Sequence, residues 1–360
     1  MSFVRFFLVT KSDVLIATIV LLISFSLVYG SRVIRYSTEY AVIFYEPTEL
    51  ILTEKTALDD LINLLKEKDT DFKEEEFYWV SRMEGWRYFT RGRYLLEGAY
   101  SYEIILSKLA RGIQDPKSVV VLPGQTEERL IANLANEFWF EENELRELLS
   151  DSVWLSQYGI EMNQVSGRLF PDTYLMYWTS TPQTVIQRML TEYEKSVLSP
   201  YQSVMDSLEL TADEINTMAS IIEWEYKYEE EKTTISGLYW NRLKRGMPLQ
   251  ADPTVNYAVG ERRRLLFEDY QFEHPYNTYL NAGLPPGPIT NPSLSSIKAA
   301  LFPENHRYLY MVANPEGGHV FTRTFEEHKI ESEKWRRWLQ KQYRIKRQRE
   351  SDSLDASSNL

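Results

Sequence analysis

The alternation of apolar and polar residues divides the chain into one long apolar run and a series of shorter amphipathic segments. The run Val14–Tyr29 is broken only by three hydroxyl residues, and a helix of that length approaches the thickness of a bilayer core. We therefore expect a membrane anchor over residues 13–30, after a short N-terminal segment 1–12. A cleavable signal peptide is the alternative, because small residues stand just before Ser31.

Shorter apolar patterns after the anchor indicate a region of mixed secondary structure over residues 31–164. Leu58–Lys66 and Ser101–Arg111 carry apolar residues at helical spacing, and Ser118–Leu122 is a strand-like apolar run. A Pro-Gly turn follows that strand, and Glu127–Phe138 then has the spacing of an amphipathic helix. The pattern therefore predicts small units built from both helices and strands.

A further helix is predicted in the second half of the chain, with a glutamate at the edge of its apolar face. Thr211 and Glu214 have the spacing of a capping box, which predicts a helix that begins at Thr211. The apolar residues that follow recur at helical spacing and form one buried stripe: Ile215, Met218, Ala219 and Ile222. Glu223 lies at the edge of this stripe, whereas Glu225, on its other side, is interpreted as a solvated or ion-paired glutamate.

A glutamate that is partly removed from water is suited to acid–base chemistry. Withdrawal from water disfavours the charged form of a carboxylate. Such a group can hold a proton near neutral pH and give it to a leaving oxygen, as in glycoside cleavage. The same pattern also fits an ordinary glutamate on the flank of a helix, so the pattern alone leaves both interpretations of Glu223 open.

Sequence blocks on both sides of Glu223 resemble the YceG-like, or MltG, family of endolytic murein transglycosylases. The blocks follow in family order: Leu169–Tyr174, Ala219–Glu223, Asn241–Leu243, Gly246–Met247, Leu249–Thr254, Pro275–Tyr279, Gly283–Ile289, Tyr308–Ala313 and Gly318–His319. The match departs from the family in two places. Ser166–Arg168 replaces Glu-Gly and a bulky residue, and Trp224 stands where a charged residue is common.

The resemblance implies an α+β fold in three parts. A transmembrane helix would precede a LysM-like α/β region over 31–164 and a mixed α+β YceG-like catalytic domain over 165–345. LysM-type modules bind N-acetylglucosamine polymers, so the first region would either hold substrate or be purely structural. Lys334–Arg349 is basic with aromatic residues interleaved, and it would either close the fold as a helix or approach anionic lipid or wall polymer. The polar tail 346–360 is expected to be disordered.

Carried over to this sequence, the resemblance implies that Glu223 is the catalytic acid/base. The family cuts the β-1,4 bond between N-acetylmuramic acid and N-acetylglucosamine within peptidoglycan strands. Glu223 would protonate the glycosidic oxygen and then take the proton of the muramic 6-hydroxyl as that oxygen closes on C1. The product would be a 1,6-anhydro end, formed without water and without a second catalytic carboxylate.

Six further residues in the matched blocks are candidates for binding the glycan. Amide side chains offer donors and acceptors to hydroxyl and acetamido groups, and tyrosine rings can pack against a sugar face. The candidates are Asn241, Gln250, Asp252, Tyr276, Asn277 and Tyr279. Ordinary loop and core roles are the alternative for each, including a turn role for Asp252 before Pro253.

Composition narrows the classes of ligand. The chain has no cysteine, which excludes disulfides, thiol nucleophiles and Cys-ligated metal sites. Its four histidines do not have the His-Glu-x-x-His spacing, so we expect neither a metal nor another cofactor. The formal net charge of −12 argues against nucleic acid as a ligand.

These observations predict a single-pass protein of the cytoplasmic (inner) membrane with the bulk of the chain on the outer, periplasmic face. The charges that flank the apolar run balance, so the orientation comes from the resemblance alone. The enzyme would cut nascent strands and so end glycan elongation, and the resemblance suggests a link to peptidoglycan synthases. Two alternatives are a non-catalytic peptidoglycan-binding scaffold and a water-using muramidase, which would leave reducing ends.

Overall fold

The computed structural model of the protein describes residues 10–39 and 41–358, in two compact units. The first unit holds the described residues up to Lys117 together with Leu175–Thr179. The second holds Ser118–Tyr174 and the described residues from Ser180 onward. Both units contain helices and strands, so the prediction of a mixed α+β fold is confirmed.

A 27-residue helix, α1 (Lys11–Ser37), is the first element of the described chain. A capping box starts it: the Asp13 N–H donates to the Thr10 hydroxyl at 3.3 Å, and the Thr10 N–H donates to the Asp13 carboxylate at 2.9 Å. Its mean hydropathy reaches 2.3, so it is long and apolar enough to cross a membrane. The predicted anchor over 13–30 lies wholly within this helix.

The first unit is built on an antiparallel sheet. Its elements after α1 are β1 (Val42–Leu52), β2 (Thr56–Ala57), α2 (Leu58–Lys66), β3 (Thr70–Phe72), α3 (Glu74–Glu84), β4 (Tyr88–Phe89), β5 (Gly92–Tyr100) and α4 (Tyr102–Ala110). The three-stranded sheet has the order β3-β1-β5, and Val42 pairs with both Phe72 and Tyr100. Helices α2 and α4 confirm the two helices predicted from apolar spacing.

The core of the first unit follows from the period of two along β1. Alternate residues at the two ends of this strand point inward and are no more than 2 % exposed: Val42, Phe44, Leu50 and Leu52. They pack against apolar side chains of α2, α3 and α4, such as Leu61, Phe77 and Leu106. The neighbouring apolar residues Tyr45 and Ile51 point the other way and are exposed, so burial along β1 alternates although its sequence does not.

The second unit is mainly helical, and β6 and β7 each include residues assigned to both units. Its elements are β6 (Lys117–Val120), α5 (Glu127–Glu137), α6 (Glu142–Leu149), α7 (Ser152–Ser156), α8 (Val165–Arg168), β7 (Thr173–Met176), α9 (Pro182–Tyr193), α10 (Ser199–Leu208), α11 (Ala212–Glu225), α12 (Lys232–Lys244), α13 (Asp252–Val259), α14 (Leu294–Leu301), β8 (Tyr310–Ala313), β9 (His319–Thr322) and α15 (Phe325–Ser358). The predicted strand at 118–122 and helix at 127–138 correspond to β6 and α5. Strands β8 and β9 form an antiparallel pair.

Helix α11 lies at the centre of the second unit. The predicted capping box is present, with the Glu214 N–H donating to the Thr211 hydroxyl at 3.1 Å and the Thr211 N–H donating to the Glu214 carboxylate at 2.8 Å. Residues 215–223 are all buried, so the helix has more than the single buried stripe that its apolar spacing predicts. Its buried polar groups are satisfied: Asn216 bonds the Tyr193 hydroxyl at 2.9 Å, and the Ser220 hydroxyl accepts the Ile289 N–H at 3.0 Å.

The C-terminal end of the described chain differs from the prediction. Helix α15 continues to Ser358, across most of the segment 346–360 for which the sequence predicts disorder. The basic part of that segment consists of good helix formers that extend an existing helix, and extension needs no new nucleus. Residues 359 and 360 lie outside the described part of the chain.

Candidate active site

The C-terminal turn of α11 carries two glutamates whose surroundings differ. Glu223 is 7 % exposed, and its Oε2 atom accepts the Ser293 N–H at 3.0 Å, the Ser293 hydroxyl at 2.6 Å and the Ser296 hydroxyl at 2.6 Å. Ser293 is the N-cap of α14, so this oxygen lies at a helix N-terminus, where negative charge is favoured. Glu223 thereby ties the end of α11 to the start of α14.

A buried lysine completes the surroundings of Glu223. The Lys232 Nζ atom is 3.9 Å from the Glu223 Oε2 atom, and the lysine side chain is 3 % exposed. Nζ donates to the Ser295 hydroxyl at 2.8 Å and to the Glu229 carboxylate at 3.0 Å. Such a closed set of partners compensates the buried charges and leaves Lys232 few bonds for any other group.

Glu225, in contrast, lines a cavity of about 400 Å³. Three of the six predicted glycan-binding residues also line it, namely Gln250, Asp252 and Tyr279. The Tyr279 hydroxyl donates to the Asp252 Oδ1 atom at 2.6 Å. Burial and the Asp252 charge raise the pKa of Tyr279, so that this phenol keeps its proton as a donor. The volume is within the range of small-ligand sites in proteins.

The environment of Glu225 favours its protonated form. Burial raises the pKa of Glu225 to about 8, the charge of Asp252 adds to the effect, and the Tyr239 hydroxyl acts in the opposite direction. A carboxyl group with this pKa carries a proton at neutral pH and can donate it. These surroundings do not fit the interpretation of Glu225 as a solvated or ion-paired glutamate.

Arg242 organises another part of the cavity wall. It donates through Nη1 to the Leu249 carbonyl and through Nη2 to the Gln250 Oε1 atom at 3.1 Å. Gln250 has a φ of 51°, which is rare for a residue with a side chain. Strained backbone of this kind is retained mainly where a functional group must be aimed, and here the residue lies in the cavity wall.

Two of the predicted glycan-binding residues have their amides bonded to the backbone. The buried Asn277 donates to the carbonyls of Tyr270 and Phe272 at 3.2 and 2.9 Å, and its own oxygen accepts the Tyr279 N–H at 3.0 Å. Asn241 donates to the carbonyls of His306 and Tyr308 at 2.8 and 3.2 Å. Both amides hold loops in place, and neither residue lines the cavity with Glu225.

Tyr276, the sixth predicted residue, lies in a different depression. This depression has a volume of about 680 Å³ and is also lined by Trp224, Asn256 and Arg262. We refer to it as the Trp224 cleft. The predicted glycan-binding residues thus fall into three groups. Three lie in the cavity with Glu225 and one in the Trp224 cleft. The other two are Asn241, on α12, and Asn277, whose amides bond the backbone of loops.

Several residues of the cavity were not predicted from the sequence, although the helical spacing of Glu225 could have pointed to it. Glu225 follows Met218 by seven residues and Ile222 by three, which places it on the large apolar face of α11. Glu223 follows Asn216 by seven and Ser220 by three, which places it on the small polar face. Tyr239, Tyr310 and His319 also line the cavity. Tyr310 and His319 fall within blocks that resemble the family, whereas Tyr239 lies in no block and has no local pattern that distinguishes it from a core residue.

Metal ligation has no support in the described residues. Over 10–39 and 41–358, no group of three or more His, Asp or Glu side chains is close enough to hold an ion. The hydrogen bonds of the site are instead made among protein groups, such as that of Tyr279 with Asp252.

Comparisons with known proteins cover most of the chain. The model of the YceG-like family matches residues 50–334. A Bacillus subtilis protein named endolytic murein transglycosylase is 31 % identical over 296 residues, which are 78 % of this chain and 82 % of that protein. A Streptococcus pneumoniae protein of the same name is 38 % identical over 164 residues, 44 % of this chain and 30 % of the longer pneumococcal protein.

A solved structure is also similar. The crystal structure of a yceG-like protein from Listeria monocytogenes matches with a TM-score of 0.55 and 27 % identity, over 79 % of this chain and 99 % of that chain. The residues that the family model matches, 50–334, include every residue named above from the two depressions. The chain therefore belongs to the YceG-like family.

Proposed function

We propose that this chain cleaves the β-1,4 bond between N-acetylmuramic acid and N-acetylglucosamine within nascent peptidoglycan strands and leaves 1,6-anhydro ends. That it is a lytic transglycosylase, an enzyme, follows from its family and from relatives named endolytic murein transglycosylase. The observation that supports the specific chemistry is a carboxyl group with a pKa of about 8, that of Glu225, in a cavity of ligand size.

Glu225 is the acid/base in this proposal. Its protonated carboxyl donates to the glycosidic oxygen as the bond from that oxygen to C1 breaks. The resulting carboxylate takes the proton of the muramic 6-hydroxyl, and O6 forms its bond to C1. The proton returns to Glu225, so the reaction consumes no water and needs no co-reactant.

Asp252 and Tyr279 support this chemistry from the same cavity. The Asp252 charge is the second cause of the raised pKa of Glu225. The same charge favours the positive character that develops at C1 in an oxocarbenium-like transition state. The hydrogen bond from Tyr279 fixes one oxygen of Asp252. Gln250 and Arg242 then remain as donors for sugar hydroxyl or acetamido groups.

Glu223, the acid/base predicted from the sequence, is the second candidate for this role. Its Oε2 atom already accepts three hydrogen bonds from α14, and it is absent from the lining of the cavity. A general acid must reach the oxygen that it protonates within hydrogen-bond distance. This requirement favours Glu225 over Glu223.

The proposed setting is the outer face of the cytoplasmic membrane, with α1 as the anchor. The length and mean hydropathy of α1 support a membrane crossing. Peptidoglycan strands are made outside the cytoplasm, so the orientation follows from the proposed substrate. A LysM-like, glycan-holding role for the region 31–164 and a link to peptidoglycan synthases belong to the same proposal.

Mass spectrometry of digested peptidoglycan tests the activity and the residue together. The full-length protein in detergent would be incubated with purified peptidoglycan, beside the Glu225→Gln and Glu223→Gln variants. We expect anhydromuramyl ends from the native protein and a loss of at least about a hundredfold in Glu225→Gln, because glutamine cannot donate a carboxylic proton. Glu316→Gln, at an exposed turn, is the matched control and should cleave normally.

Each other outcome has a definite meaning. Loss of cleavage in a folded Glu223→Gln protein, with Glu225→Gln active, would return the catalytic role to Glu223. Reducing ends would indicate a water-using muramidase. Glycan binding without products from the native protein would favour the non-catalytic scaffold.

A further inference from the structure

The Trp224 cleft lies beside the cavity with Glu225 and shares two helices with it. Trp224 directly precedes Glu225 on α11, and each residue lines a different depression. On α13, Asp252 lines the cavity and Asn256 lines the cleft. Four residues of helix separate these two by about 6 Å along the axis. A ligand longer than one sugar can therefore contact both depressions.

The wall of the cleft is held in place by a buried asparagine. The Asn291 side chain is fully buried; it accepts the Gln125 N–H at 2.8 Å and donates to the Leu122 carbonyl at 2.9 Å. The Gly124 N–H donates to the Asn291 carbonyl at 2.8 Å. The indole N–H of Trp224 in turn donates to the Gly124 carbonyl at 2.8 Å. The ring of Trp224 is thus fixed before any ligand arrives, which lowers the entropy cost of binding.

The side chains that line the cleft suit a neutral polyhydroxylated ligand. Its aromatic rings are Trp224, Tyr257, Tyr276 and His274, and the centroids of the two tyrosine rings are 4.6 Å apart. Its charged groups balance, since it has two arginines, Arg129 and Arg262, and two glutamates, Glu128 and Glu261. An anionic ligand would gain little from such a set, whereas hydroxyl and acetamido groups can use donors and acceptors of both signs.

Arg262 lies over the indole in the free protein. Its guanidinium carbon is 4.9 Å from the Trp224 ring, and the residue is exposed. An exposed cation–π contact contributes little, and the long side chain can move aside. The ring face beneath it is then open to the apolar face of a sugar.

We propose that the Trp224 cleft is a saccharide subsite, which binds an N-acetylated hexosamine unit of the same glycan strand that Glu225 cleaves, with Trp224 as the stacking platform. This inference rests on the proposed function for the identity of the polymer. An enzyme that cuts within a strand must hold sugars beyond the reacting pair, and the cleft supplies such a position next to the acid/base.

Binding of peptide-free glycan strands to the full-length Glu225→Gln protein in detergent tests the subsite without turnover. Adding Trp224→Ala to this protein should weaken strand affinity about tenfold, as measured by isothermal titration calorimetry. A change of this size corresponds to the loss of one ring contact and of the area that it buries. Trp224→Phe keeps a ring and should stay within about threefold of Glu225→Gln alone. Arg262→Ala, which uncovers the indole, should bind at least as tightly, and Arg307→Ala is its charge-matched control.

The controls separate this subsite from a structural role of Trp224 and from the proposed reaction. If Trp224→Ala does not fold by thermal unfolding, Tyr276→Ala replaces it with the same expectation. Unchanged strand affinity in folded Trp224→Ala and Tyr276→Ala would overturn the subsite, even if the native protein makes anhydro ends. A loss of affinity seen only with strands that carry stem peptides would also overturn the saccharide subsite, because the cleft would then bind peptide. Conversely, weakened binding without any anhydro ends from native protein would remove the reaction and leave the subsite.

Discussion

Glu223 and Glu225 are two residues apart on α11 and should act in opposite directions on stability. The Glu223 carboxylate has three hydrogen-bond donors and the Lys232 ammonium group nearby. Glu225 lines a cavity, and burial raises its pKa to about 8. A glutamate of the unfolded chain has a pKa near 4.3. Above that pH the unfolded chain is ionised while the folded chain holds Glu225 protonated, so this residue lowers the stability of the fold.

The stability of Glu225→Gln should therefore depend on pH in a predictable way. A carboxyl pKa that is raised in the folded state contributes stability that is complete below about pH 4 and is lost as the pH rises to about 8. We expect Glu225→Gln to raise the free energy of unfolding at pH 8 by roughly 2–4 kcal/mol over the native protein. The difference should vanish near pH 4. Urea unfolding at both pH values measures it.

Glu223→Gln in the same experiment provides the contrast, because an amide cannot replace a carboxylate that accepts three hydrogen bonds beside a lysine. We expect the free energy of unfolding of Glu223→Gln at pH 7 to be roughly 1–3 kcal/mol lower than that of the native protein. Equal effects of the two substitutions, at every pH, would contradict the assignment of one structural and one chemical glutamate. Glu316→Gln serves again as the neutral control.

At the scale of the element, α11 connects the core of the second unit to both depressions. Its N-terminus is set by the capping box of Thr211 and Glu214, and its C-terminus by the contact of Glu223 with α14. The helix is buried all round from Ile215 to Glu223. Its position along the axis therefore determines where Trp224 and Glu225 stand.

Removing the cap should weaken the fold and leave the site intact. Thr211→Ala loses the hydroxyl that accepts the Glu214 N–H, and we expect about 1 kcal/mol lower stability by chemical unfolding. Cleavage at a temperature well below the transition should be unchanged. Thr191→Ala, an exposed threonine within α9, is the control and should change stability by less than about 0.5 kcal/mol. A large loss of cleavage in folded Thr211→Ala would mean that the cap positions the site.

The sequence predicts local elements well and the site only in part. Capping residues and apolar spacing lie within a few positions of one another, so the start of α11 and the helices α2 and α4 could be found. Ser293 and Ser296 cover the Glu223 flank of α11 and leave the other flank open to a cavity. They lie 70 and 73 residues beyond Glu223 in the sequence. The choice between Glu223 and Glu225 therefore needed the tertiary structure.

At the scale of the whole molecule, α1 should hold the protein in a membrane. Leu21 lies near its middle and is 70 % exposed, as expected for a side chain that would face lipid. We expect the full-length protein to resist carbonate extraction and Leu21→Arg to be released in part, since an arginine at the centre of a span costs about 2.5–3.5 kcal/mol. Ile34→Arg, near the end of the helix, should remain in the membrane fraction. Release of the native protein by carbonate would contradict the anchor.

The bonds of Asn291 also have a consequence for when the protein becomes able to act. This residue holds the loop at Gln125, which precedes it by 166 positions, and Ser293 binds Glu223 from just beyond it. Contacts of such long sequence separation form late, because closing a long loop must come first. During synthesis, the first four-fifths of the chain must emerge before either depression can take shape. A growing chain would thus reach the membrane through α1 well before it had a structure able to cut a glycan.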